Sequence, residues 1–275
     1  VTELFRRSYA VQIGTLRITD LDVAFDVFRS LKREPNTAEL SVWNLNEDHR
    51  QQIREAREIV VQIEAGYGGE NALIFLGDLR DAHTERDGPD LVTKLSSADG
   101  GKKARVARVS HTYQPNTSLA SVLRNAAQAL GVGIGNAEEA VAAADLEGAG
   151  TIFPHGAVVS GNAAAELDGL LRSAGLEYSI QNGQLQVLDR NQFLRGTAVR
   201  LTAATGLIGS PSEGSDGVVT ARCLMIPDVF PGRRVRFDSP EVSGFFRVET
   251  ATYTGETAGE DWGIEIECKR QEVAR

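Results

Sequence analysis

No run of about eighteen apolar residues occurs anywhere in the chain, so the sequence offers no transmembrane helix. A basic cluster of any size is missing too. The net charge is -9 and the acid excess recurs in 1–105, 106–192 and 193–275. A protein that grips nucleic acid through its phosphates needs a clustered basic face, which this composition does not supply. The one cationic run, Gly101-Lys102-Lys103-Ala104-Arg105, sits among turn residues and reads as a solvated or interface loop. Aromatics are scarce at 6%, with two Trp and five Tyr, so a concave sugar-binding cleft is poorly provided for. Cysteine is scarce as well. Cys223 and Cys268 have no metal-ligand spacing and occupy apolar strands; they read as buried thiols, with a disulfide open only if those strands are neighbours. Two such cysteines point, weakly, to a reducing compartment. The segment Val1-Thr2-Glu3-Leu4-Phe5-Arg6-Arg7 has no apolar signal core, and the expectation is that it is not a secretory leader.

The signatures of chemistry are equally thin. There is no nucleophile elbow, phosphate loop, dinucleotide fingerprint or Cys-x-x-Cys pair. The four histidines, His49, His83, His111 and His155, stand at no metal-ligand spacing. Surface or structural roles are expected for them, with His155 the best placed for function, on a loop. Glu256, Glu260 and Asp261 could be imagined as paired acids for glycoside hydrolysis but read as a polar turn. Asp20, Asp22 and Asp26 alternate along a presumed strand and read as a solvated face in preference to a cation site. Gly66-Tyr67-Gly68-Gly69 precedes a strand, not a helix, and is a hairpin turn. The expectation is therefore no catalytic, cofactor-binding or metal-binding residue.

What the sequence does have is period-two alternation. Residues 9–30 read as one long hairpin, with Tyr9, Val11 and Ile13 answered by Val23, Phe25 and Val27. In 38–45, Ala38, Leu40 and Val42 face one way and Glu39, Ser41 and Trp43 the other. Asn46 caps a short helix over 46–57, anchored by Ile53 and Ala56. Further strands are expected at 59–65, 73–79, 91–97 and 106–113, making a closed or nearly closed antiparallel sheet.

The middle differs. Leu119, Val122, Leu123, Ala126, Ala127 and Leu130 share one helical face, and Gly131 ends that helix. Residues 133–150 are rich in Ala, Gly and Glu, with little to bury; a mobile or partner-ordered insertion is expected. A second helix runs from Asn162 to Gly175 through Leu167, Leu170, Leu171 and Ala174. Asn182-Gly183 calls for a type I′ hairpin, with Ile180 opposite Leu185 and Tyr178 opposite Val187. Gly206 to Pro211 reads as an ordered loop. Strands are expected at 218–225, 235–237, 245–253 and 262–269, too few to close alone and needing completion by 1–113 or by another subunit. The fold class is thus mainly β with an α+β middle domain, divided at 1–113, 114–192 and 193–275.

The order of these segments resembles a known family. Ala38-Glu39-Leu40-Ser41-Val42-Trp43-Asn44-Leu45, Ala65-Gly66-Tyr67, Phe75-Leu76-Gly77-Asp78-Leu79 and Asp99-Gly100 are similar to the early motifs of baseplate hub proteins of tailed phages and phage-derived tails. Thr205-Gly206-Leu207-Ile208-Gly209-Ser210-Pro211, Leu224-Met225-Ile226-Pro227 and Asp261-Trp262 continue the likeness across nearly the whole chain. The resemblance implies two tail-tube-like antiparallel β-barrel modules, from 1–110 and 195–275, with the smaller domain between. It implies a homotrimeric, pseudo-sixfold ring joining the tail tube protein to the spike protein around the path of DNA or an effector. Tape measure protein and other baseplate subunits would be further neighbours. The location implied is the virion tail tip, with the host cytoplasm during assembly. Two other readings stand beside it: a hexameric tail tube or distal-tail protein, and a soluble carbohydrate-binding or hydrolytic β-protein.

Overall fold

The computed structural model describes residues 6–56, 58–100, 106–146 and 150–271. The cationic run 101–105, most of the N-terminal segment 1–7 and part of 133–150 therefore lie outside the described residues. The first strands in chain order are β1 (Arg7–Ile13), β2 (Leu16–Ile18), β3 (Val23–Ser30) and β4 (Thr37–Trp43). Helix α1 (Glu47–Glu55) leads to β5 (Val60–Tyr67), β6 (Glu70–Asp87) and β7 (Asp90–Ala98). The middle holds β8 (Arg108–Tyr113), β9 (Thr117–Ser118), α2 (Leu119–Leu130), α3 (Ala137–Leu146), β10 (Ile152–Phe153) and β11 (Ala157–Asn162). It closes with α4 (Ala163–Ser173), β12 (Leu176–Gln181) and β13 (Gln184–Asp189). The remainder is β14 (Val199–Leu201), a 3-10 turn at Ala203–Thr205, β15 (Leu207–Glu213), β16 (Val218–Leu224), β17 (Arg234–Asp238), β18 (Ser243–Glu256) and β19 (Trp262–Arg270).

These elements fall into two compact units. One gathers Val1–Ser30, Asn36–Asp99 and Leu194–Arg275; the other Leu31–Pro35 and Gly100–Phe193. In the first unit both β regions contribute to one 13-stranded sheet in the order β15-β16-β19-β18-β3-β4-β7-β6-β5-β1-β2, with β17 also on β18 and β14 on β17. Neither region closes on itself as a barrel. The seam is β3 against β18, from Thr250 opposite Ser30 to Glu256 opposite Ala24. The C-terminal strands are thus completed by the N-terminal region. Strand β18 serves three partners: β19 runs along one edge, and because β18 is 14 residues long its start pairs with β17 and its end with β3.

Several expectations change here. The long hairpin over 9–30 is not formed. Strand β1 turns back only as far as the three-residue β2, and β3 pairs with β4 and β18 instead. Both faces of that choice are apolar runs, so alternation alone could not select the partner. Gly206 is a turn, but 207–211 are no loop: they begin edge strand β15, where Pro211 is tolerated because an edge needs no inward N–H at every position. Cys223 and Cys268 are buried and free. Their strands are neighbours, yet Cys268 lies opposite Val219, four residues from Cys223, or roughly 13 Å along the strand. Burial pushes the Cys223 thiol up to about 12.

Helix α1 starts where Asn46 stands, and the Asn46 side chain accepts from the His49 N–H at 2.8 Å. Ile53 is its buried anchor, while Ala56 is exposed. Asn46→Ala is expected to cost about 1 kcal/mol in chemical denaturation, because one first-turn N–H loses its acceptor.

The second unit is α+β. The whole α2 face named above is buried, and Gly131 ends the helix in the left-handed conformation. Asn182 and Gly183 have φ of 52° and 72°, the type I′ pattern, and the register sets Ile180 opposite Leu185 and Tyr178 opposite Val187. Strand β8 pairs with β11, so 106–113 belongs to this unit and not to the first sheet. The segment expected to bury little contains α3, whose Ala137, Val141 and Ala144 join the core. It is tied down locally: the Asn136 side chain both accepts from the Val187 N–H and donates to the Val187 carbonyl, each at 2.8 Å, as a strand neighbour would.

Candidate functional site

The register across the first unit puts residues from both β regions on shared rows. One row runs Trp262, Gly255, Phe25, Leu40, Leu95, Ala82 across β19, β18, β3, β4, β7 and β6. It faces the core. The row beside it runs Gly263, Thr254, Asp26, Glu39, Ser96, Asp81, and the row on the other side of the core-facing row begins Glu256, Ala24, Ser41, Lys94, His83. These face outward. Antiparallel sheets commonly have one solvated face; here that face is continuous over strands from opposite ends of the chain.

Its charge is lopsided. Asp26, Glu39, Asp81, Glu85, Glu256, Glu265 and Glu267 stand on it against Lys94, Arg222 and Lys269. Glu85 is matched by Lys94 at 2.5 Å, which holds its carboxyl below the usual range. Arg222 is spent on Asp261 at 2.7 Å. Among the described residues Asp26, Glu39, Glu256, Glu265 and Glu267 form no ion pair. Partial burial pushes the Asp26 carboxyl upward, against the lowering effect of the Thr254 hydroxyl. Thr250 donates to Glu267 at 3.1 Å. The result is a rigid wall of threonines and mostly unneutralised carboxylates.

Two stretches at the margins of this wall are paired on one side only. Strand β15 has β16 on one side only. Strand β6 is 18 residues long; β5 covers it only as far as Asp78, so Arg80 to Asp87 is paired on the β7 side alone.

The residues singled out by sequence are mostly scattered. His49 lies on α1, His83 is exposed on β6 beside Asp81, His111 packs edge-on against Tyr113 on β8, and His155 is exposed on a turn. Among the described residues no three His, Cys, Asp or Glu side chains gather to hold a metal. Asp20 and Asp22 lie in the turn before β3, so they do not share a strand with Asp26. Gly66 to Gly69 is the β5–β6 hairpin, as its spacing suggests. Glu256, Glu260 and Asp261 do sit at one turn, between β18 and β19, but Arg7 clamps that turn by donating to the carbonyls of Glu256, Gly259 and Glu260. A cavity of about 360 Å³ beside it holds Asp22, Trp43, Asp90 and Glu256. Two of these carboxylates are engaged, Asp22 with Thr257 and Asp90 with Asn44. The acidic wall itself was missed residue by residue, because only the register reveals which acids share a face.

A family model described as baseplate hub gp41 matches residues 19–268. The chain belongs to the baseplate hub gp41 family. Solved structures of the same fold include the 43 kDa tail protein of prophage MuSo2 from Shewanella oneidensis, at 11% identity and a TM-score of 0.67, with 96% of this chain and 97% of that one covered. A tail protein from Neisseria meningitidis MC58 follows at 8% identity and a TM-score of 0.66, with 97% of each chain covered. The E. coli c3393 protein, a type VI secretion component with structural similarity to T4 tail proteins gp27 and gp5, gives 9% identity and a TM-score of 0.60 over 95% of this chain and 77% of that one. No curated protein sequence matches. The hub family makes this a structural tail protein of the virion baseplate. Among the described residues no helix is long and apolar enough to cross a membrane.

Proposed function

We propose that copies of this chain form a ring that joins the tail tube to the central spike and surrounds the path of DNA or an effector. The observation that carries this is one acidic face flanked by two strand stretches that are free on one side, β15 and Arg80 to Asp87 of β6. From β15 to β6 the path is β15, β16, β19, β18, β3, β4, β7, β6, and every pairing along it is antiparallel. Eight alternating strands leave the two edge strands running in opposite directions. Rotation about a ring axis preserves strand direction, so β6 of one copy meets β15 of the next in antiparallel sense and the ladder can continue. Such head-to-tail contacts close into rings. The acidic wall then faces the channel, where carboxylates repel phosphates and keep DNA from sticking.

On this reading the tube-like modules lie within 1–99 and 194–275, the α+β domain is 100–193, and three copies supply the pseudo-sixfold match to a tube. The protein has no catalytic role; its partners are itself, the tube, the spike, and the tape measure and other baseplate subunits. It is made in the host cytoplasm and ends in the virion tail.

Native mass measurement tests this. At tens of micromolar protein and low salt, a trimer is expected. A hexamer would favour the tail tube or distal-tail reading, and a chain that remains monomeric there would overturn the ring.

A further inference from the structure

One corner of the sheet departs from its acidic character. Where β14, β17 and the start of β18 meet, the register sets Arg200 beside Arg236, Arg236 beside Phe245 and Arg234 beside Arg247. The guanidinium carbons of Arg234 and Arg236 lie 5.2 and 5.7 Å from the centroid of the Phe245 ring. Stacking on an aromatic face holds planar guanidinium groups in place, ready for a carboxylate or phosphate. The acids at this corner are Asp238, which accepts from Arg200 at 2.8 Å and Arg236 at 3.0 Å, and Glu249, which accepts from Arg247 at 2.7 Å. Arg200 and Arg236 share the single carboxylate of Asp238, so that trio keeps a net positive charge, and it is accessible: the Arg200 and Arg236 side chains are 67% and 50% exposed.

The corner also adjoins an open edge. From β14 the chain passes through the turn at Ala203–Thr205 straight into β15, and the Thr205 hydroxyl donates to the Arg200 carbonyl at 2.7 Å. At the other open edge, β6 ends in the exposed turn Asp87-Gly88-Pro89-Asp90. There Glu85 is held by Lys94 and Asp90 by Asn44, while Asp87 has no ion pair among the described residues.

We propose, resting on the ring reading above, that Asp87 of one copy docks against the Arg200–Arg236 corner of the next. An antiparallel junction brings the end of β6 to the start of β15, and therefore to the corner. The junction needs such a contact. Pro211 has no N–H and the β15 ladder shifts register between Ile208 and Ser212, so backbone bonds alone give a short and poorly defined seam. A carboxylate against stacked guanidinium groups sets which residue meets which. The tip and the corner lie in different parts of the chain, as a ring-forming contact requires.

Charge reversal tests this through three variants: Arg200→Glu, Asp87→Arg, and both together. Native mass and sedimentation would be read at low salt, with thermal unfolding to confirm that each variant folds like the wild type. Each single reversal is expected to weaken self-association about tenfold or more, and the double reversal to restore it. Single variants that assemble like the wild type would remove this contact and leave the ring standing. Weakened singles without rescue would show that the two residues do not meet. Wild-type protein bound to a short DNA duplex through Arg200, with assembly unchanged by Arg200→Glu, would reassign the corner to a polyanion. A monomeric wild type would remove the ring reading and this contact together.

Discussion

Tyr253→Ala is expected to destabilise the first unit by about 4 kcal/mol, the scale of aromatic deletion from a core. Tyr253 is fully buried on β18, opposite Val27 of β3 and Ile264 of β19. It therefore packs at the seam that joins the two β regions. Its hydroxyl donates to the Val229 carbonyl at 2.8 Å, and burial pushes its ionisation up to about 12, so it stays neutral and a donor. The ring does a second job. Arg29, itself 4% exposed, donates to the Ile74 carbonyl and lies 5.9 Å from the Tyr253 centroid and 5.6 Å from that of Phe230. Deleting the ring leaves a buried cation with one aromatic face fewer, which adds to the cost of the cavity. Urea unfolding measures the total. Tyr253→Phe separates the parts, since it keeps the ring and removes only the hydroxyl with its hydrogen bonds to the Val229 carbonyl and to Arg29, for about 1 to 2 kcal/mol. A Tyr253→Ala protein as stable as Tyr253→Phe would show that the seam does not depend on this packing.

The second large effect belongs to the other unit. Gly135→Ala is expected to cost about 2 to 3 kcal/mol and to raise hydrogen exchange in β13 and α3. Gly135 has φ of 51°, where an L side chain is strained, and a Cβ there would collide with the Leu185 carbonyl oxygen. That carbonyl is fixed backbone, so the segment carrying Gly133 and Asn136 must move away from β13. It would lose the Leu185 N–H bond to the Gly133 carbonyl at 2.8 Å and the paired Asn136 bonds to Val187. Unchanged exchange in β13 would mean that the segment does not hold the strand.

Local chemistry was readable from sequence, and partners were not. Asn182-Gly183 dictates its own turn and hence the register of β12 and β13. The α2 face follows from spacing alone, and Asn46 announces its helix. The alternation in 38–42 correctly separates Ala38, Leu40 and Val42 from Glu39 and Ser41. What alternation lacks is an address. Nothing in Val23, Phe25 and Val27 says that they lie beside Tyr253 and Gly255 and not beside Val11. Pro211 and its flanking glycines imitate a loop, although an edge strand accepts both. Helix α3 was hidden because small alanines bury little area per residue, and its core contribution rests on Val141 and two alanines. The candidate site was the least legible part. Net charge predicted an acidic protein, but Asp26, Glu39 and Asp81 become one row only when the β3–β4, β4–β7 and β6–β7 pairings have set the register.

That seam also governs when the molecule can exist. The Val23 N–H is bound by the Thr257 hydroxyl, 234 positions later in the chain. While synthesis proceeds, β3 can find β4 at once, but its other edge waits for β18. Contacts of such long sequence separation form slowly, and an unfinished chain presents a bare strand edge to its neighbours. The continuous acidic wall therefore comes into being only at one late step, when β18 pairs with β3. A partly made chain has only fragments of that wall, and the last residue of the chain's β19 must be in place before its outward rows run unbroken from β19 to β6.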